Sequence, residues 1–242
     1  MLRALLWDVD GTVAETERDG HRIAFNQAFE ELGLPWRWNV QRYGELLLVT
    51  GGRERLLHDM STRPDAPATA AERETLVHEL RRRKNLAYAV LVAQGGITPR
   101  PGVCRLVDEC RAAGVALAVV TTSSRSNVEA LFVSIWGKGW LEVFPTVVCA
   151  EDAPVKKPDP QAYLLALQRL RLGAQDCLAL EDSPAGLQAA RAAGIACGIT
   201  RSVYFRDASF EGAVWVRDDL AQPVPMTLSL LQAALAGTIS NS

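Results

Sequence analysis

Short apolar runs alternate with longer amphipathic stretches along this chain. The runs are LRALLW (2–7), VALAVVTT (115–122), TVVCA (146–150), CLALED (177–182), ACGIT (196–200) and AVWV (213–216). Runs this short and this apolar suit parallel strands covered on both faces. Between most of them lie segments with helical period. VCRLVDECRAAG (103–114) ends on Gly114 as a stop, and DPQAYLLALQRLRLG (159–173) follows the same period. SPAGLQAARAAG (183–194) starts with Ser183 as N-cap and Pro184 at the first helical position. Strand–helix alternation of this kind predicts an α/β fold, a doubly wound, Rossmann-like parallel sheet.

The stretch after the first run breaks the rhythm. Residues 17–92 hold no good strand and read as helices over about 18–33, 39–48, 53–61 and 70–92, punctuated by Gly33, Pro35 and RPDAPA (63–68). The alternation resumes only after QGGITPRPG (94–102). An all-helical insertion is therefore expected over 17–92, within a core made of 1–16 and 93–242. Two crossings, near 13–16 and 93–101, would let such an insertion open and close as a cap. Trp36, Trp38 and Tyr43 read as the core of this insertion. The final GTISNS reads as a frayed tail.

Composition narrows the class. With 242 residues, 48% apolar and 22% charged, the chain has the make-up of a globular domain plus an accessory one. The net charge of −2 gives no general attraction to nucleic acid or to an anionic membrane, so anion binding must be local. The opening MLRALLWDVDG is too short an apolar run for a signal segment or a membrane span. Five cysteines (Cys104, Cys110, Cys149, Cys177, Cys197) form no CxxC pair, which suits reduced core thiols in a cytoplasmic setting. No long apolar stripe is left over, and a monomer is expected.

The candidate chemistry sits at strand ends. Asp8 and Asp10 follow the first strand directly, and residues i and i+2 of an extended chain point the same way, roughly 6–7 Å apart. Two such carboxylates repel unless a cation lies between them or one takes a proton. Gly11 suits a sharp departure from the strand. DVDGT could also be a calcium loop, but such a loop needs a glutamate near its end, where residue 19 is Asp. VVTTSS (119–124) ends a strand in the hydroxyls Thr121, Thr122, Ser123 and Ser124, which suit a phosphate. Lys156-Lys157-Pro158 opens a helix and offers a compact positive charge. Glu181-Asp182 closes another strand with two more acids, which are costly there without a cation. The set describes a site for Mg²⁺ and a transferring phosphoryl group.

DVDGT (8–12), VVTT (119–122), KKP (156–158) and ED (181–182) resemble, in order, the four motifs of the haloacid dehalogenase-like phosphatases. The resemblance implies a Mg²⁺-dependent phosphatase with a helical cap. It implies Asp8 as nucleophile forming an aspartyl-phosphate, and Asp10 as acid–base partner that also lends its backbone oxygen to the metal. Thr121 or Thr122, with Thr121 favoured, would contact the transferred phosphate, with Ser123 beside them. Lys157, next to proline, is favoured over Lys156. Asp182 is favoured as direct metal ligand, with Glu181 nearby. Trp7 replaces the commoner Phe of the family, and Glu15 stands where Asp is usual.

A narrower resemblance lies in ETERDGHRIAFNQAF (15–29), GLPWRWNVQRYGELL (33–47) and GGRERL (51–56), which are similar to the CbbY proteins found with Rubisco and Calvin–Benson cycle enzymes. It implies a phosphatase for the Rubisco inhibitor xylulose-1,5-bisphosphate, a small-molecule sugar bisphosphate. Thr50, Gly51, Gly52, Arg53, Glu54 and Arg55 then form a substrate-binding segment. Arg53 or Arg55 would hold the second phosphate in a bidentate grip. Glu17 and His21, at i and i+4, share a helix face and can reach sugar hydroxyls. Two alternatives remain open at this level: a phosphosugar mutase of the same fold, and a non-catalytic phosphosugar sensor.

Overall fold

The computed structural model describes residues 1–237, so the last five residues of the expected tail lie outside the described chain. It shows two compact units, one of Met1–Glu15 together with the chain from Thr98 onward, the other Thr16–Ile97.

The first unit is built on a six-stranded parallel sheet. Its strands are β1 (Ala4–Trp7), β2 (Ala116–Val120), β3 (Thr146–Val148), β4 (Cys177–Glu181), β5 (Ala196–Thr200) and β6 (Trp215–Arg217), in the order β3-β2-β1-β4-β5-β6. Each falls within, or overlaps, one of the six apolar runs. Every residue of β1 is buried, because it lies at the centre, with Leu6 paired to Ala118 on one side and Ala179 on the other. Between the strands run α5 (Val103–Ala112), α6 (Arg125–Trp136), α7 (Trp140–Val143), α8 (Gln161–Leu170) and α9 (Pro184–Ala192), with α10 (Leu228–Leu235) last. Leu6, Val120, Ala179 and Ile199 pack with Tyr163 of α8 and Leu187 of α9 in one core cluster.

Local chemistry sets the helix ends. Ser183 caps α9 by accepting the Gly186 N–H at 3.1 Å, with Pro184 at the first position as the sequence predicts. Gly114 stops α5 in a left-handed conformation, φ 70°. One expectation is corrected: Lys156-Lys157-Pro158 does not open a helix. Proline disfavours helical geometry in the residue before it, and α8 begins only at Gln161, whose N–H is taken by Asp159 Oδ1 at 2.9 Å. The lysines therefore lie in a turn.

The second unit is all helical: α1 (Arg22–Glu31), α2 (Val40–Leu46), α3 (Gly52–Ser61) and α4 (Ala70–Ala93). The expected first helix differs in one respect, for it opens with a π-helical turn over Glu17–His21. Gly20 makes that turn possible against its neighbours: a Cβ there would come within 2.6 Å of Ile97 and 2.8 Å of Tyr88. A Thr69–Glu72 capping box starts the 24-residue α4. Phe25, Phe29, Trp36, Trp38 and Tyr43 pack ring to ring in its interior, the place expected of these tryptophans and Tyr43. Asp59 ties them in, accepting Trp38 Nε1 at 2.8 Å, Arg42 at 2.7 Å and Arg63 at 2.7 Å.

All five cysteines are free; Cys104 is half-buried and the other four are buried. Among the described residues no helix is long and apolar enough to cross a membrane.

Candidate active site

Asp8 is the first residue beyond β1, and its N–H still donates to Leu180 O at 3.0 Å. The chain then curls: Val13 N–H reaches Val9 O at 2.9 Å and Gly11 N–H reaches Ala14 O at 2.8 Å. Gly11 sits at φ 86°, and a Cβ there would lie 2.1 Å from Asp182 Oδ2. Glycine is required on both counts. The turn thus presses the backbone directly onto an acid at the end of the neighbouring strand. The strand order also reverses here, since the chain runs β1-β2-β3 to one side and resumes with β4 on the other side of β1, and open α/β sheets bind ligands at such a point.

Lys157 organises the acids. Its ammonium donates to Asp8 Oδ1 at 2.7 Å, Glu181 Oε1 at 2.6 Å and Val120 O at 2.8 Å. Three acceptors use all three of its N–H groups. Tyr163 Oη also donates to Glu181 Oε1 at 2.6 Å. Glu181 is thereby engaged with Lys157 and Tyr163, whereas Asp182 faces Gly11 with Ser202 beside it. Lys156 points elsewhere and holds the carbonyls of Ala150 (2.9 Å) and Ala153 (3.4 Å).

Asp8, Glu181 and Asp182 each place a carboxylate oxygen within 4.8 Å of the others, and all three residues are buried. Burial pushes the Asp8 carboxyl well up, the charge of Glu181 adds to this, and Lys157 only partly opposes it. Asp182 is likewise well raised, first by burial and then by Asp8 and Glu181. Burial disfavours the Lys157 charge, but Asp8 and Glu181 outweigh it and hold its affinity for the proton above the ordinary lysine value. Three acids with one ammonium leave two buried negative charges uncompensated, which is the charge of a divalent cation. Hard carboxylate oxygens suit Mg²⁺, and the residues fit such an ion.

The hydroxyl cluster closes the arrangement. Asp10 is half-buried and accepts a hydrogen bond from Ser123 Oγ. Thr121 is buried and its Oγ1 accepts Ser123 N–H at 3.1 Å, while Thr122 is half-buried. Two residues here carry no signal in the sequence. Tyr163 is one apolar position among many on an amphipathic helix. Arg100 sits in a stretch that reads only as punctuation.

In the helical unit, Glu17 and Arg55 come together through Tyr43. Tyr43 Oη donates to Glu17 Oε2 at 2.5 Å, Arg55 Nη1 donates to Tyr43 Oη at 2.7 Å, and Arg55 and Glu17 lie 3.6 Å apart. His21 is buried against the Tyr88 ring, 4.4 Å between centroids. Lys84, also buried and silent in the sequence, lies over the rings of Phe25 and Tyr88. Arg53 is placed differently. It is half-buried on α3 and paired with Glu74 and Glu54. Thr50 precedes that helix, Gly51 caps it at φ 99° and Gly52 starts it, with Glu54 folded back towards Gly51.

The parallel sheet and the lysine-bridged acids at its strand ends define a hydrolase of the α/β class acting on phosphate esters. The chain matches the haloacid dehalogenase-like hydrolases over residues 2–194 and belongs to that family; it is an enzyme, a phosphoric monoester hydrolase. Among its relatives, CbbY of Cupriavidus necator is 43% identical over 225 residues, covering 92% of this chain and 87% of that one. A structure of a CbbY variant from Rhodobacter sphaeroides in complex with xylulose-1,5-bisphosphate superposes with a TM-score of 0.88 at 38% identity, covering 96% of this chain and 99% of that one. The β-phosphoglucomutase of Bacillus subtilis is 26% identical over 206 residues, covering 80% of this chain and 81% of that one.

Proposed function

We propose that this protein is a Mg²⁺-dependent sugar-bisphosphate phosphatase working through an aspartyl-phosphate, with xylulose-1,5-bisphosphate as substrate. The observation that carries the chemistry is the buried Asp8 carboxylate fixed by Lys157 beside Asp182. In the first step an Asp8 oxygen attacks phosphorus, and the bond from phosphorus to the sugar oxygen breaks. Asp10, protonated at this stage, gives its proton to that oxygen. In the second step Asp10 takes a proton from water, whose oxygen attacks phosphorus and frees Asp8 and inorganic phosphate. Lys157 and Thr121 neutralise or donate to the phosphoryl oxygens. Asp8, Asp182 and the backbone oxygen of Asp10 would hold Mg²⁺, which would supply charge neutralisation and orientation. Glu181 serves mainly to hold Lys157.

In this reading residues 1–16 and 93–242 are the chemical core and 17–92 the selecting cap. Arg55 takes precedence over Arg53 for the second phosphate, because it is the buried cation, grouped with Tyr43 and Glu17, while Arg53 pairs with two glutamates of its own surroundings. Glu17 and His21 address sugar hydroxyls. The substrate itself is carried over from the CbbY relatives. The enzyme is read as a cytoplasmic monomer.

A phosphate-release screen over pentulose and hexose mono- and bisphosphates, with Mg²⁺ and with chelator, tests this. The expected result is Mg²⁺-dependent release of one phosphate per bisphosphate, fastest with xylulose-1,5-bisphosphate. An isomeric phosphosugar in place of free phosphate would mean a mutase. Binding without turnover would mean a sensor.

A further inference from the structure

Arg100 makes more contacts to backbone carbonyls than any requirement of its own loop explains. Its side chain is only 8% exposed. Nη1 donates to the carbonyl of Gly11, to Thr200 O at 3.1 Å and to Thr200 Oγ1 at 3.4 Å. Nη2 donates to Arg201 O at 2.6 Å and Asp218 O at 2.5 Å. Nε faces Glu15 Oε1 at 3.6 Å, and Glu15 in turn accepts Val203 N–H at 3.3 Å. One guanidinium therefore joins three loops, those that follow β1, β5 and β6.

Two of those loops bear on the acids. Gly11, whose carbonyl Arg100 holds, is the residue packed against Asp182 Oδ2. Ser202, one residue beyond the held Arg201 carbonyl, is buried beside the same point: a Cβ on Gly11 would also lie 3.0 Å from Ser202 Cβ. The Arg100 backbone is anchored as well, its N–H donating to Val13 O at 2.8 Å within the nucleophile turn. We propose that Arg100 is a positioning residue: its guanidinium locks the Asp8–Asp10 turn and the Ser202 loop around Asp182, and so sets the metal affinity of the centre. A planar fork with five donors can hold carbonyls from several loops at once, and a lysine ammonium cannot reproduce that geometry. The proposal rests on the phosphatase reading above.

The test compares Arg100→Lys with Arg105→Lys. Arg105 also bridges backbone carbonyls, those of Leu220 and Met226, but its acid is Glu109 on the same helix and it makes no hydrogen bond or ion pair with Asp8, Glu181 or Asp182. Mg²⁺ binding to chelator-treated protein is measured by calorimetry, alongside kcat, KM and Tm. For Arg100→Lys the Mg²⁺ Kd is expected to rise about 10-fold or more and kcat to fall by about 10–100-fold, as when support of a metal ligand is lost. KM should stay within about 3-fold, and Tm should fall no further than in Arg105→Lys, whose Mg²⁺ Kd stays unchanged. A folded Arg100→Lys protein with wild-type Kd and kcat overturns the proposal. Should Arg100→Lys fail to fold, Glu15→Ala decides: it removes the carboxylate that faces Arg100 Nε and accepts Val203 N–H, so the fork and the loop after β5 loosen and the Mg²⁺ Kd is expected to rise, and an unchanged Mg²⁺ Kd overturns the proposal equally. A wild-type protein that neither binds Mg²⁺ nor releases phosphate overturns the functional reading itself, and is told apart because it fails before any substitution.

Discussion

Both units of this molecule bury aspartates, and the two sets behave in opposite ways. Asp8 and Asp182 of the α/β unit are 6% and 4% exposed, and Asp59 of the helical unit is 2% exposed. Burial alone would raise all three. For Asp59 it does not prevail, because donors on Arg63, Trp38 and Arg42 outweigh it and hold the carboxyl below the ordinary value. For Asp8 and Asp182 burial prevails, and neighbouring acids add to it. An acid surrounded by donors is a structural tie. Acids held together with too little positive charge form a site arranged for a cation. Burial marks both kinds, and only the partners separate them.

The sharpest way to break this contrast is to remove each acid's charge in turn. Asp8→Asn should lower phosphate release by about 10⁴-fold or more, since the nucleophile is lost. Metal-free protein carrying it should be no less stable than wild type, because an uncompensated buried charge goes with it. Steady-state kinetics and thermal melts in chelator check both parts; full activity of Asp8→Asn would end its role as nucleophile. Asp59→Asn should do the reverse. It leaves Arg42, Arg63 and Trp38 with a weakened acceptor and should cost about 2 kcal/mol of stability. That loss reads out as a lower Tm, with kcat within about 3-fold of wild type. A large loss of kcat with unchanged Tm would make Asp59 part of the site.

The same contrast explains what was legible in the sequence. The six strands were readable because parallel strands buried on both faces must be short, continuous apolar runs. The acids were readable because charge directly after such a run is costly enough to need a reason. The π-helical turn at Glu17–His21 was not, since it depends on Gly20 fitting against Ile97 and Tyr88, residues far along the chain. The start of α8 was misplaced because Pro158 and Asp159 act together, one excluding helix behind it and the other capping ahead. Tyr163 and Arg100 were silent for a different reason. A tyrosine on a helix or an arginine in a loop declares its role only when the fold supplies Glu181 or three loops of carbonyls.

A smaller effect, but one that sharpens the comparison most, lies in the pH dependence of folding. Raised carboxyls bind protons in the folded state that the unfolded chain has already released. Asp8 and Asp182 should therefore make metal-free protein less stable as pH rises from about 4 through their raised values, by at most about 1.4 kcal/mol per pH unit for each group. Asp59 has the opposite sign: its contribution is present above about pH 4 and is lost as pH falls through its lowered folded value. Thermal melts in chelator from pH 3 to 9 should show both limbs. Asp182→Asn should flatten only the neutral limb and Asp59→Asn only the acid limb. Added Mg²⁺ should reverse the neutral slope, because the ion competes with protons for the same carboxylates and binds better as pH rises. A metal-free wild type whose stability climbs between pH 5 and 8 would show that Asp8 and Asp182 have ordinary proton affinities, and the two sets of aspartates would then be alike.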